Sequence, residues 1–231
     1  MFVKACNQIR ECLYGMVGIS KPESDTEETI VSTATGFMIV PGILVTAAHF
    51  CKLKTDSEEI IFERYEAIRC PEIGQSMEHI ELIAKDHARD IALFRIGKPR
   101  STSCVQIDCS RIPIGTSCGI LGFPLASVYF PKTGYEFDPI ERFRGASIAA
   151  YEAFQDPSDR TIQTYEIDSF LYPGASGCPD FLVDARVLGM CVLSKVDPHP
   201  KPETTPQAIA ISILISAENI REFAECNGIH V

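Results

Sequence analysis

Apolar residues in this chain cluster in short runs of four to ten, closed by charged residues, Gly or Pro, a spacing that predicts strands rather than long helices. Val3, Ile9 and Leu13 share one face and predict a short helix within residues 1–14. Tyr14 to Ile19 reads as a strand, and Ser20 to Thr29 as an acidic loop containing a proline. Val31 to Val40 and Ile43 to Ala48 are two strands joined by a Pro41-Gly42 turn. Further strands are predicted over Ile60 to Cys70, His79 to Lys85 and Ile91 to Ile96. Gly97 to Pro113 is less regular and is the candidate linker between two halves.

The second half resumes with a strand from Ser117 to Phe123, then a loop from Gly134 to Arg142. Strands follow at Phe143 to Phe154 and Thr161 to Ile167, and around an Asp184-Ala185 turn at Phe181 to Val183 and Val187 to Ser194. Lys195 to Pro206 is a proline-rich loop, and Gln207 to Ile215 is the last strand. A terminal helix then begins at Ser216, whose hydroxyl suits an N-cap; Glu218 falls in its first turn, and Ile220 and Phe223 on its buried face. Many short strands and one clear helix describe an all-β sandwich or barrel.

Composition narrows the picture. The 231 residues, 45% of them hydrophobic, suffice for one large domain or two compact subdomains. No run approaches the roughly 20 apolar residues of a membrane span, and the polar N-terminal segment lacks a signal-peptide core. A net charge of −10 argues against a direct nucleic-acid partner. The 10 cysteines are scattered and include no Cys-x-x-Cys pair, so the expectation is free, packed thiols in a cytoplasmic, reducing setting, with no metal and no cofactor.

Candidate chemistry centres on Gly174-Ala175-Ser176-Gly177. A serine hydroxyl is a weak nucleophile until a base lies within hydrogen-bond reach and a third group orients that base. Val45-Thr46-Ala47-Ala48-His49 sets a histidine directly after an apolar strand, and Arg89-Asp90-Ile91-Ala92-Leu93 sets a carboxylate at the mouth of another. Each has a plain structural reading: a strand-end histidine, a solvated acid, an ordinary turn. Asp86 competes with Asp90, but polar residues follow it instead of an apolar strand. His79, His87, His199 and His230 read as surface residues, and Cys178 as a packed small residue.

The three segments together, in the order His49, Asp90, Ser176, resemble the chymotrypsin-fold serine proteases, and most nearly their bacterial HtrA-like branch. Val187-Leu188-Gly189-Met190 and Ala208-Ile209-Ala210-Ile211 extend the resemblance, which runs from about Ala34 to Phe223. It implies two six-stranded antiparallel β-barrels, residues 1–105 carrying His49 and Asp90 and residues 106–231 carrying Ser176 and the terminal helix. It also implies roles: Ser176 as nucleophile, His49 as base, Asp90 as its orienting acid, and the N–H groups of Gly174 and Ser176 as an oxyanion hole. Phe170 and Leu171 would form the base of the primary pocket, Val192, Leu193 and Ser194 the strand that holds substrate backbone, and Ala208 and Ala210 the far wall. With no acid at that base, the implied preference is a small or medium apolar residue before the scissile bond.

The chain departs from the family pattern in places. Ala175 stands where zymogen-type relatives place an acid, and Ala175 and Cys178 replace the Asn and Gly usual in the HtrA-like branch. Cys51 and Tyr172 mark positions whose disulfides in secreted relatives have no counterpart here. No PDZ domain is expected after the terminal helix. The Gly-x-Ser-x-Gly elbow of α/β-hydrolases is excluded by Cys178 and by the order of the three residues. The implied partner is a polypeptide substrate. The altered loop keeps a second reading open, a silent or partner-activated protease-like domain that binds peptides or a regulatory protein.

Overall fold

The computed structural model describes residues 1–20, 31–54, 59–69, 76–97, 102–131, 134–196 and 208–231. The predicted loops over Ser20 to Thr29 and Lys195 to Pro206 lie almost wholly outside them, as does His199. Helix α1 (Val3–Arg10) precedes strands β1 (Leu13–Ile19), β2 (Val31–Val40) and β3 (Ile43–Thr46). The chain continues through β4 (Lys52–Lys54), β5 (Glu59–Ile61), β6 (Arg64–Arg69), β7 (Glu78–Asp86) and β8 (Ile91–Ile96). The later strands are β9 (Gln106–Ile107), β10 (Ser117–Gly122), β11 (Ser127–Tyr129), β12 (Glu136–Asp138), β13 (Arg142–Gln155), β14 (Thr161–Ile167), β15 (Pro179–Phe181), β16 (Arg186–Val196) and β17 (Ala208–Ser216). Helix α2 (Ala217–Cys226) ends the fold.

Strands β1-β2-β3-β8-β7-β6 close into one six-stranded antiparallel barrel. In the second sheet β15-β10-β13-β14-β17-β16 is closed by a β15–β16 pairing, and the two-residue β9 adds in parallel to β16. Closure covers most of the strand edges that an open sheet of this size would present, leaving only short stretches unpaired. The expected all-β fold of two barrels with a C-terminal helix is the fold observed.

Strand β1 is buried along its whole length. One of its faces lines the first barrel, and at Gly15 the second half packs against it: a Cβ there would stand 3.0 Å from the Phe137 ring. Phe2 of the N-terminal segment stacks on Phe143 and Phe181. The main core therefore runs continuously from Leu44 and Phe94 of the first barrel to Phe181 and Met190 of the second.

Four local readings differ from the structure. The helix predicted within residues 1–14 stops at Arg10, and Leu13 instead opens β1, where it pairs with Phe37 of β2. The strand predicted to reach Ala48 stops at Thr46, and Ala48–Cys51 turns into a short 3₁₀ helix. The predicted loop from Gly134 to Arg142 contains β12, which pairs with β11, and the irregular linker contributes β9. These short strands carry little periodicity of their own; partners supply their hydrogen bonds. Helix α2 matches its prediction: Ser216 caps Asn219 N–H, and Ile220 and Phe223 are buried.

Candidate active site

His49, Asp90 and Ser176 come from three separate loops, and the fold brings them together. Ala47 leaves β3 extended, and the following 3₁₀ turn lifts the His49 ring toward the space between the barrels. Asp90 ends the tight turn between β7 and β8 with a left-handed backbone, φ 54°, a conformation that Asp tolerates better than bulkier residues. Two contacts hold it there. Its Oδ1 accepts the His49 N–H at 2.8 Å, and its carbonyl accepts the Ala48 N–H at 3.1 Å.

Asp90 Oδ2 lies 2.7 Å from His49 Nδ1, and His49 Nε2 lies 2.7 Å from Ser176 Oγ. A carboxylate only accepts, so Nδ1 carries the proton and Nε2 is left to accept from the serine hydroxyl. The rival acid is otherwise engaged: Asp86 caps the N–H groups of Ala88 and Arg89 and pairs with Arg160 at 3.1 Å.

The serine loop is held by backbone and by Thr35 of β2. Ser176 C=O accepts from Thr35 N–H at 3.0 Å, Gly177 N–H donates to Cys191 C=O at 2.8 Å, and Thr46 Oγ1 donates to the Thr35 carbonyl at 2.7 Å. Gly177 has φ +84°, and a Cβ there would fall 1.9 Å from the Thr35 oxygen. Only glycine fits that contact. Thr35 Oγ1 in turn accepts the buried Phe123 N–H at 2.9 Å and contacts the Gly174 carbonyl at 3.4 Å.

The Pro173 carbonyl accepts from Leu125 N–H at 2.9 Å, with Gly174 at φ +84°. A planar trans peptide points its N–H opposite its C=O, so the Gly174 N–H is turned away from Leu125. Among the described residues neither it nor the Ser176 N–H has a backbone acceptor. The loop that carries the serine hydroxyl therefore holds two backbone donors without a backbone acceptor among the described residues.

A cavity of about 370 Å³ adjoins this group, lined by His49, Ser176, Phe170, Leu171, Tyr172 and Val192 to Ser194, among others, with no carboxylate among the described residues of its wall. Ser194 Oγ crosses to Leu171, 3.3 Å from its N and 3.2 Å from its O, and meets Ser212 Oγ at 3.1 Å. Phe170 stacks edge-on against Tyr172. Ala208 and Ala210 lie in β17, with Ala208 opposite Val196 of β16; their side chains fall outside the described set. Cys178 is wholly buried, and desolvation pushes its thiol up to about 12, so it is a packed, un-ionised group. Sequence reasoning missed Thr35, Thr46 and Leu125; their roles are hydrogen bonds across the barrel interface, which leave no local pattern.

The fold is that of a chymotrypsin-type peptidase domain. A family model described as a trypsin-like peptidase domain matches residues 34–190, and this chain belongs to that family. Its fold is similar to that of the active form of the Rv3671c protease from M. tuberculosis, with a TM-score of 0.70 and 16% identity over 98% of this chain and 85% of that one. An inactive serine-to-alanine form of the same mycobacterial protein matches with a TM-score of 0.65 and 15% identity, covering 97% of this chain and 90% of that one. Identities this low show the fold alone. Among curated protein sequences none matches.

Proposed function

We propose that the protein is a serine endopeptidase acting through His49, Asp90 and Ser176. The observation that carries this reading is the unbroken chain from Ser176 Oγ to His49 Nε2 and from His49 Nδ1 to Asp90 Oδ2, 2.7 Å at each link. In the proposed reaction His49 takes the Ser176 proton as Oγ bonds to the substrate carbonyl carbon. The carbonyl oxygen becomes an oxyanion facing the free N–H groups of Gly174 and Ser176, donors whose loss costs such enzymes about 10²–10³ in rate. His49 then delivers its proton to the leaving amine as the C–N bond breaks. Water, deprotonated by the same imidazole, releases the acyl group from Ser176. Asp90 holds the tautomer and stabilises the imidazolium throughout.

The edge of β16 at Val192 to Ser194 lies beyond its pairing with β15, which involves Met190, Gly189 and Val187; it is available to the substrate backbone. The Ser194 hydroxyl, tied to Leu171, narrows the pocket above Phe170 and favours a small or medium apolar residue before the cleaved bond. The lack of an acid among the described residues of the wall disfavours Lys and Arg there. The free state of all nine described cysteines supports a cytoplasmic, reducing location as part of the same proposal. A fluorophosphonate probe tests the central claim: an adduct on Ser176 that vanishes in Ser176→Ala is expected. Failure of the folded protein to label at Ser176 would make it a silent, peptide-binding relative instead.

A further inference from the structure

A second cavity lies on the other side of the serine loop. It measures about 290 Å³, and Leu171, Tyr172 and Ala175 line both it and the cleft. Ile120, Leu171, Ala175 and Cys178 give it apolar walls, and Arg142 and Arg144 border it. Neither guanidinium meets a carboxylate among the described residues. Arg142 donates to the carbonyls of Pro124 at 2.6 Å and Ile140 at 3.1 Å, and Arg144 lies over the Tyr172 ring, 5.0 Å from its centroid. In a chain of net charge −10, two uncompensated cations beside one apolar hole are a charge pattern that selects an anion.

Among the described residues the backbone beside them is also unpaired. Ser147 exchanges hydrogen bonds with Asp168 through both its N–H and its C=O, so those groups point away from β10. Antiparallel pairing alternates, so Gly145 and Phe143, two and four residues earlier, also turn their N–H and C=O groups away from β10. Strand β14 pairs with β13 only from Ile148 onward. The Phe143–Gly145 stretch is thus a short free edge, and a Cβ on Gly145 would meet nothing nearer than Phe143 at 4.0 Å.

We propose that this edge and cavity bind an extended peptide that ends in an apolar residue with a free carboxylate. Strand addition would use the Phe143 and Gly145 main-chain groups, which a fatty acid leaves unused. Adjacent side chains of an extended chain point to opposite faces and same-face ones stand about 6.5 Å apart along it, so an internal acid is either on the wrong face or a two-residue step away from the apolar side chain. A C-terminal residue carries its carboxylate and its side chain on one Cα and serves both. The site is independent of the hydrolase reading, because it uses none of His49, Asp90 or Ser176.

The test uses full-length Ser176→Ala protein, calorimetric titration and the peptide acetyl-Ala-Ala-Val as acid and as amide. The acid is expected to bind about tenfold or more tighter than the amide, and Arg144→Gln to weaken it by a similar factor, the scale of a charge-assisted hydrogen bond. Hydrogen exchange at the Phe143 and Gly145 amides is expected to slow on binding. Equal affinity for acid and amide, unchanged exchange at those two amides, or binding of octanoate without binding of the peptide acid would each overturn the proposal. The acid–amide comparison stands on Ser176→Ala alone should the Arg144 variant not fold.

Discussion

Asp180 sits at the heart of the second barrel with both carboxyl oxygens buried and without a hydrogen-bond partner. Desolvation pushes its carboxyl from the ordinary 3.8 up to about 8, against a small opposing contribution from the neighbouring Cys118 thiol. The folded protein therefore holds a proton there that the unfolded chain releases near pH 4. Stability from this group is complete below the unfolded value and is lost as pH rises through the folded one. Between pH 5 and pH 8 the loss is on the order of 3–4 kcal/mol, taking about 1.4 kcal/mol per unit over the interval in which only the folded state holds the proton. For a chain of this size that is on the order of 10 °C in Tm. Asp180→Asn keeps the shape and removes the titration. Melts followed by circular dichroism across that pH range are expected to show a falling Tm in the parent and a flatter profile in the variant, the two converging at the acid end. Parallel profiles would refute the assignment of a protonated, buried Asp180.

Gly177→Ala drives a Cβ to 1.9 Å from the Thr35 carbonyl in a left-handed residue, and urea unfolding is expected to show a loss of about 2–5 kcal/mol from the overlap and backbone strain combined; a change near zero would show that the contact yields. Thr35→Val keeps the volume but strips the acceptor from the buried Phe123 N–H. It is expected to cost about 1–3 kcal/mol and to slow hydrolysis by loosening Gly174, whereas unaltered stability would contradict the geometry. Ser194→Gly removes the hydroxyl that bridges Leu171 and Ser212. Its kcat/KM for a large apolar residue relative to alanine is expected to rise by about tenfold or more, within the range of methylene-scale pocket changes; an unchanged ratio on a peptide library would remove Ser194 from the specificity pocket.

Much of the candidate site is legible in the amino-acid sequence. The three segments around His49, Asp90 and Ser176 each set one chemically distinctive side chain among small or apolar neighbours. Their order along the chain carries the rest. Asp90 is separable from Asp86 because an apolar strand follows only the former, and the fold occupies Asp86 with a turn and Arg160. The short strands β9, β11 and β12 are not legible, since two or three residues have no period to read. Cys178 is legible only as a small residue, and its raised thiol follows from burial that no local pattern reports.

The all-β class, the candidate residues His49, Asp90 and Ser176 and the terminal helix are all readable along the chain, because strand periodicity, turn residues and a capping serine are local properties of it. How those residues are held follows from long-range packing. The Ser176 loop is fastened to Thr35 of the other barrel, itself held by Thr46, and Leu125 sets the peptide plane that frees the Gly174 N–H. The contacts from Thr35 to Ser176 and from Leu125 to Pro173 join residues far apart in the sequence. Their geometry follows from how two closed barrels dock, and docking depends on the shape of the whole core.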